Sequence, residues 1–227
     1  MCADPNQGFL KSRLSWKSVG LNVRGRTKKL SYSYRTTYEI LIAANALLEH
    51  LDDDPEEFIK PDMKNMVRGS KPRVIYSDAP QDELKRFLNE LQETISKEHF
   101  PLNQIMVLCS DGVYPNKVKK SVDDELGYGR IVNCNEPRDL KENFGERIKL
   151  LSLNSCTGME SGIVFVLGVG DILTAENNID LSAEEKEIQH QESVRKLYVA
   201  MTRAGQKLVL FSTEKLPESV ARYLDAS

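Results

Sequence analysis

Two kinds of apolar pattern alternate along this chain. Short blocks rich in β-branched residues occur at VIYS (74–77), QIMVLCS (104–110), RIVNC (130–134), IKLLSLNS (148–155), GIVFVLGVG (162–170) and KLVLFS (207–212). Several are almost continuously apolar, as strands covered on both faces should be. Between them run longer stretches in which apolar residues return every three or four positions. TTYEILIAANALLEHL (36–51) is one, ending in DDDPEE, where Pro55 blocks continuation. APQDELKRFLNELQETISKEHF (79–100) is a second, with Pro80 and Asp82 near its start and Leu84, Phe87, Leu88, Leu91 and Ile95 on one side. SAEEKEIQHQESVRKLYVAMTRA (182–204) and LPESVARYLDA (216–226) complete the set. Strands alternating with helices predict an α/β domain with a mostly parallel sheet. Two stretches fall outside the pattern. Residues 1–28, with Gly8, Gly20 and Gly25, read as an extended arm, and Val122 to Gly145 reads as loop-rich.

Composition narrows the class without changing the architecture. The chain has 227 residues, 40% hydrophobic and 29% charged, the balance of an ordinary globular protein. No apolar run approaches the ~20 residues that cross a bilayer, and MCADPNQGF lacks the plan of a secretory signal, so a cytoplasmic protein with no membrane partner is expected. Cys2, Cys109, Cys134 and Cys156 show no CxxC spacing and read as reduced core thiols, and no metal site is expected. With 31 basic against 34 acidic residues, the net charge of −3 argues against gripping nucleic acid by bulk electrostatics. Lys117, Lys119 and Lys120 in PNKVKK read as a solvated surface turn.

Three places carry candidate chemistry. In KLYVAMTRAGQKLVLF, Leu197, Tyr198 and Met201 share a helical side with Val194, while Arg203 falls about half a turn away, off the core-facing stripe. Arg203 is either a cation complementing a helix C-terminus, with Gly205 as left-handed cap, or a guanidinium aimed at a phosphate. In LLSLNSCTGMESGIVFVLG, Ser152, Ser155 and Thr157 precede Gly158 and Glu160. Either a ligand meets backbone at Gly158 and a sugar hydroxyl meets Glu160, or this is a glycine turn with a solvent-facing glutamate. In SYSYRTTYEI, Tyr34 and Arg35 stand just before a helix with Thr36 or Thr37 as its cap, suited to a base and a phosphate or to surface packing. No GxxxxGK(S/T) or GxGxxG loop occurs, so any triphosphate cradle must come from another domain.

Together these segments resemble the UvrD/Rep type of superfamily 1 helicases. QESVRKLYVAMTRAGQKLVLF resembles motif VI, E-x-x-R-x-x-Y-V-A-x-T-R-A-x-x-x-L; LSLNSCTGMES resembles motif V, T-x-H-x-A-K-G-L-E-F; SYRTTYEILIAANALL resembles motif IV, N-Y-R-S-x-x-x-I-x-x-A. CADPNQ is similar to the end of motif III. The resemblance runs in family order from Cys2 to Phe211 and implies a second RecA-like motor domain over residues 29–227, its sheet flanked by helices on both faces, with the motif III remnant in the arm at 1–28. It implies that Arg203 is the arginine finger and Arg35 a second γ-phosphate contact. Gln7 would sense that phosphate, Tyr34 would stack on adenine, Glu160 would reach the ribose, and Gly158 would belong to the same ATP site. ATP with Mg2+ would be held mostly by an N-terminal RecA-like domain, the partner module, and single-stranded DNA would cross both domains. Ser152, Asn154 and Trp16 are the candidate DNA contacts. Motif V departs from the family at Asn154, Thr157 and Ser161, where histidine, lysine and phenylalanine are usual. The interval from Arg35 to Ser152 is too short for the extra subdomain many relatives insert there. A chain that lacks the phosphate loop is expected to be inactive alone, and a non-catalytic module binding a protein or single strand is the alternative.

Overall fold

The computed structural model describes residues 36–49, 51, 63, 65–134, 145–174 and 180–226. Gln7, Trp16, Tyr34 and Arg35, and the arm assigned to residues 1–28, lie outside them. The strands are β1 (Arg73–Tyr76), β2 (Ile105–Cys109), β3 (Ile131–Asn133), β4 (Ile148–Ser152), β5 (Ser161–Leu167), β6 (Ala204–Ser212) and β7 (Asp225–Ala226). They form a seven-stranded sheet in the order β3-β4-β2-β5-β6-β1-β7, and every pairing is parallel. The expectation of a mostly parallel sheet is met and exceeded among the described residues.

The two-residue period of the strands sorts their side chains into two cores. Met106 and Leu108 of β2, Val164 and Val166 of β5, and Leu208 and Leu210 of β6 face one; Ile105, Val107, Ile163, Phe165, Val209 and Phe211 face the other. The first is covered by α1 (Tyr38–Leu48), α4 (Val169–Leu173), α5 (Ala183–Met201) and α6 (Glu218–Ala221). The second is covered by α2 (Pro80–Lys97) and α3 (Pro115–Leu126), with Phe87, Phe165 and Phe211 meeting at centroid distances of 5.6–6.2 Å. Helices on both faces explain why the central strands read as unbroken apolar runs.

Local chemistry sets the helix ends. At the start of α5 the Ser182 hydroxyl accepts the Glu185 N–H while the Glu185 carboxylate accepts the Ser182 N–H, a reciprocal cap. On α2, buried Glu90 accepts Arg73 Nη1 at 2.9 Å and pairs with Lys207 Nζ at 3.1 Å, tying the helix to β1 and β6.

Several sequence expectations need correction. PNKVKK is not a turn; it opens α3, anchored by buried Val118 and Val122. The stretch from Val122 to Gly145 contains the end of α3 and all of β3, and its residues 135–144 lie outside the described set. IKLLSLNS is strand only to Ser152, followed by a 3-10 turn over Leu153–Ser155. The last helical stretch is a single turn followed by β7, whose two residues pair with Arg73 and Val74.

Candidate functional site

Parallel strands give the sheet one amino edge and one carboxyl edge. Ser161 opens β5, Ala204 opens β6, and the two are register partners. Glu160 and Arg203 therefore leave the sheet side by side at its amino edge, and the Ser161 N–H donates to the Arg203 carbonyl at 3.1 Å. Glu160 is exposed.

Arg203 is not where helical spacing put it. The helix α5 ends at Met201, Thr202 is a right-handed C-cap, and Arg203 turns inward with only 2% of its surface exposed. Its Nε donates to the Val199 carbonyl at 3.1 Å and its Nη1 to the Met159 carbonyl at 3.3 Å. Val199 carries one of the carbonyls that the last turn of a helix leaves without a main-chain donor, so the guanidinium completes that turn. Gly205 is not the left-handed cap that one of the two readings offered; it lies within β6, and among the described residues the positive-φ glycines are Gly127, Gly129, Gly145, Gly158 and Gly168. Beside Arg203, burial pushes the Cys156 thiol up to about 11, with the guanidinium opposing that shift. Cys109, Cys134 and Cys156 are buried free thiols, as expected.

The segment resembling motif V divides between the two edges. Ser152 pairs in register with Cys109, and Cys109 with Leu167, the last residue of β5, so Ser152 and exposed Asn154 stand at the carboxyl edge. From there the chain crosses back over the α5 side of the sheet, burying Leu153 and Cys156, to reach Gly158 and Glu160 at the amino edge. The Ser152 and Ser155 hydroxyls lie 3.0 Å apart. Gly158 has φ +80°, and a Cβ there would meet nothing within 4 Å. Its glycine is required by the turn's backbone conformation, and the space beside it is open.

The entrance of α1 reaches the same amino edge by another route. The Tyr38 N–H donates to the Val67 carbonyl at 2.9 Å, and the Gly69 N–H donates to the Glu39 carboxylate at 2.7 Å. Val67 and Gly69 lie on the approach to the first residue of β1. Thr37 is the N-cap residue, but among the described residues neither its hydroxyl nor that of Thr36 has a hydrogen-bond partner, although both residues are buried. The entrance is thus held by residues 67–69 and Glu39 rather than by the threonine cap expected. Burial would raise the Glu39 carboxyl, but the Gly69 and Glu39 amides and the Arg68 guanidinium outweigh it and hold it below its ordinary value.

Sequence reasoning missed a second polar centre at the carboxyl edge. Ser110, Asp111, Gly112, Asp171, Ser193 and Lys196 line a cleft of about 120 Å³ there. The Ser110 hydroxyl donates to Asp171 at 2.9 Å, and Lys196 Nζ lies 4.0 Å from Asp111. Behind it, Glu83 accepts the Gly168 N–H at 2.8 Å, and burial raises its carboxyl above the ordinary value, with Asp171 adding to the rise. The only sequence signal was the pairing of Gly112 and Gly168 with nearby acids. A separate cavity of about 410 Å³, lined by Ile95, Phe100, Leu102, Leu126 and Arg130, lies on the α2–α3 face. Among the described residues no group of three His, Cys, Asp or Glu side chains could hold a metal ion.

The chain is similar to known proteins. An ATP-dependent helicase/nuclease subunit from Lactobacillus delbrueckii subsp. bulgaricus is 31% identical over 110 residues, covering 34% of this chain and 9% of that protein. The chain thus spans less than a tenth of that relative's length. The crystal structure of the C-terminal domain of a possible DNA helicase from Lactobacillus plantarum WCFS1 matches with a TM-score of 0.56 at 14% identity, covering 86% of this chain and 99% of that one, a likeness of fold. The family described as the UvrD-like helicase C-terminal domain matches residues 29–132 and 130–215. Those matches take in the α1 entrance, the crossing segment and the Arg203 turn, and the chain belongs to the UvrD-like helicase C-terminal domain family.

Proposed function

We propose that this chain is the second motor domain of an ATP-dependent DNA helicase, closing an ATP site whose phosphate loop and magnesium ligands lie on a first RecA-like domain. The observation that carries this reading is the convergence at the amino edge, where Arg203 and Glu160 precede register-paired strand residues. A guanidinium and a carboxylate so placed fit the two ends of a nucleotide, phosphate and ribose. Arg203 acts as the finger and Arg35 as a second phosphate contact. Gln7 senses the same phosphate, Tyr34 stacks on adenine, Glu160 takes the ribose, and the open space beside Gly158 lets backbone approach. ATP with Mg2+, when bound, supplies the phosphoanhydride that is cleaved.

Arg203 reaches that phosphate by turning from internal acceptors, the Val199 and Met159 carbonyls among them, to an anion, whose charge-assisted hydrogen bonds are the stronger kind. Single-stranded DNA runs along the opposite edge, past Ser152 and Asn154, with Trp16 as a stacking residue. No described helix is long and apolar enough to cross a membrane, and the site of action proposed is the cytoplasm.

The test is ATP turnover by the intact protein carrying this domain. Arg203→Ala is expected to lower kcat by roughly a thousandfold or more, the scale of an arginine finger. Wild-type turnover in that variant would overturn the assignment. The 227-residue chain alone is expected to show no DNA-stimulated ATPase activity. A second reading, a non-catalytic module that binds a protein or single strand, draws on the deep burial of Arg203. Association with a phosphate-loop domain only in the presence of nucleotide supports the motor; association with a protein partner regardless of nucleotide supports the module.

A further inference from the structure

The loop before β1 carries an arginine that no motif includes. Residues 67–71 are exposed, and an arginine in such a loop ordinarily samples many rotamers. Arg68 does not have that freedom. Its guanidinium lies 3.8 Å from the centroid of the Tyr38 ring, and its Nη1 donates to Glu39 Oε1 at 3.0 Å. The main chain on either side is fastened to the same helical turn, through Val67 to the Tyr38 N–H and through Gly69 to Glu39. A Cβ on Gly69 would come within 2.6 Å of Thr37 Cγ2, so the loop presses directly on the α1 entrance. Yet the Arg68 side chain remains 69% exposed, while that of Glu39 is only 17% exposed.

The result is a guanidinium fixed in orientation and open to solvent. A planar fork held this way has lost most of its rotamer entropy before any ligand arrives, which makes its remaining N–H donors effective toward a phosphate oxygen. Its place in the fold gives the ligand. Arg68 precedes β1, β1 pairs with β6, and β6 opens immediately after Arg203. In register, Arg73 pairs with Val209. Arg68 lies five residues before Arg73 and Ala204 five before Val209, so both arginines precede their strands on the amino side of the sheet.

We propose that Arg68 is a further nucleotide-binding residue of this domain, contacting a phosphate of the bound triphosphate, with Glu39 as the residue that positions it. The proposal rests on the motor reading above. Arg68 differs from Arg203 in kind. An exposed, preformed guanidinium binds ground state and transition state about equally and so acts on KM, whereas the finger acts on kcat.

Steady-state ATP turnover by the intact protein separates the two. Arg68→Ala is expected to raise KM for ATP roughly five- to tenfold with kcat within about twofold. Arg68→Lys should recover only part of that loss, because a lysine cannot hold the fork on Tyr38. Glu39→Ala should move KM in the same direction by less, and Arg68→Ala, which leaves the main-chain ties of Val67 and Gly69 in place, should melt close to the wild type. An unchanged KM in Arg68→Ala, with Arg203→Ala still inactive, would overturn the role of Arg68 and leave the motor reading standing. Wild-type turnover in Arg203→Ala would bring down both.

Discussion

The two edges of this sheet are built on opposite principles. At the amino edge Arg68 and Glu160 remain exposed, while Arg203 is buried and donates to the Val199 and Met159 carbonyls. At the carboxyl edge, Asn154 apart, the polar groups around the cleft are turned on one another: Ser110 on Asp171, Glu83 on the Gly168 amide, Lys196 toward Asp111. The general rule for open α/β sheets places ligands outside the carboxyl ends of the strands. Here that edge is knit together internally, and the groups suited to a nucleotide stand at the other. The proposed role, completing a site begun on a neighbour, needs outward-facing donors more than a deep pocket, and the exposed Arg68 at the amino edge is such a donor.

The largest expected effect is the loss of turnover in Arg203→Ala, and it sharpens the comparison if single-stranded DNA binding by the same variant is unchanged. The carboxyl edge breaks differently. Gly168 has φ +73°, and a Cβ there would collide with the Ser110 hydroxyl and lie 2.7 Å from Val113 Cγ2 and 2.8 Å from Asp171 Oδ2. Gly168→Ala is expected to cost about 2–4 kcal/mol of stability from backbone strain and overpacking. Urea unfolding measures it, and a cost below about 0.5 kcal/mol would show that this edge yields easily.

How much of this contrast was legible in the sequence depends on where each signal lies. The central strands were readable because they are covered on both faces and therefore almost wholly apolar. The α3 helix was not, because it buries only Val118 and Val122 among charged neighbours. The wheel that set Arg203 off the core assumed a helix continuing through it, and α5 stops two residues earlier. Glu83 and Glu90 sit on the buried side of α2 because their partners, Gly168, Arg73 and Lys207, come from other elements, which periodicity cannot see. Each of the three candidate segments, taken alone, admitted a bland reading beside the chemical one. That the Arg203 turn and the end of the crossing segment meet at one edge, while that segment begins at the other, follows only from the register.

A smaller effect tests the division within the crossing segment. Asn154 is exposed at the carboxyl edge, whereas Ser152 is half-buried and paired with Ser155. Asn154→Ala is expected to weaken single-stranded DNA binding roughly tenfold, as loss of a backbone-positioning contact does, while KM for ATP stays unchanged. Ser152→Ala should weaken it less. Fluorescence anisotropy with a labelled oligonucleotide reads both, and a loss of ATP affinity without a loss of DNA affinity would place this end of the segment with the nucleotide instead.

The smallest effect concerns the acid buried behind the carboxyl-edge cleft. Burial holds the Glu83 carboxyl above the ordinary 4.5, Asp171 adds to the rise, and the Gly168 N–H opposes it. Between the ordinary value and the raised one the folded chain binds more protons than the unfolded chain, so stability falls as pH rises through that window. The deficit persists at higher pH, where the buried carboxylate is charged. A glutamine keeps an oxygen for the Gly168 amide and carries no charge at any pH. Glu83→Gln should therefore melt above the wild type at pH 8 and lose that advantage at pH 4. A Tm difference that stays constant from pH 4 to pH 8 would mean that Glu83 titrates alike in both states. The interior of this edge would then be as open to water as the amino edge opposite.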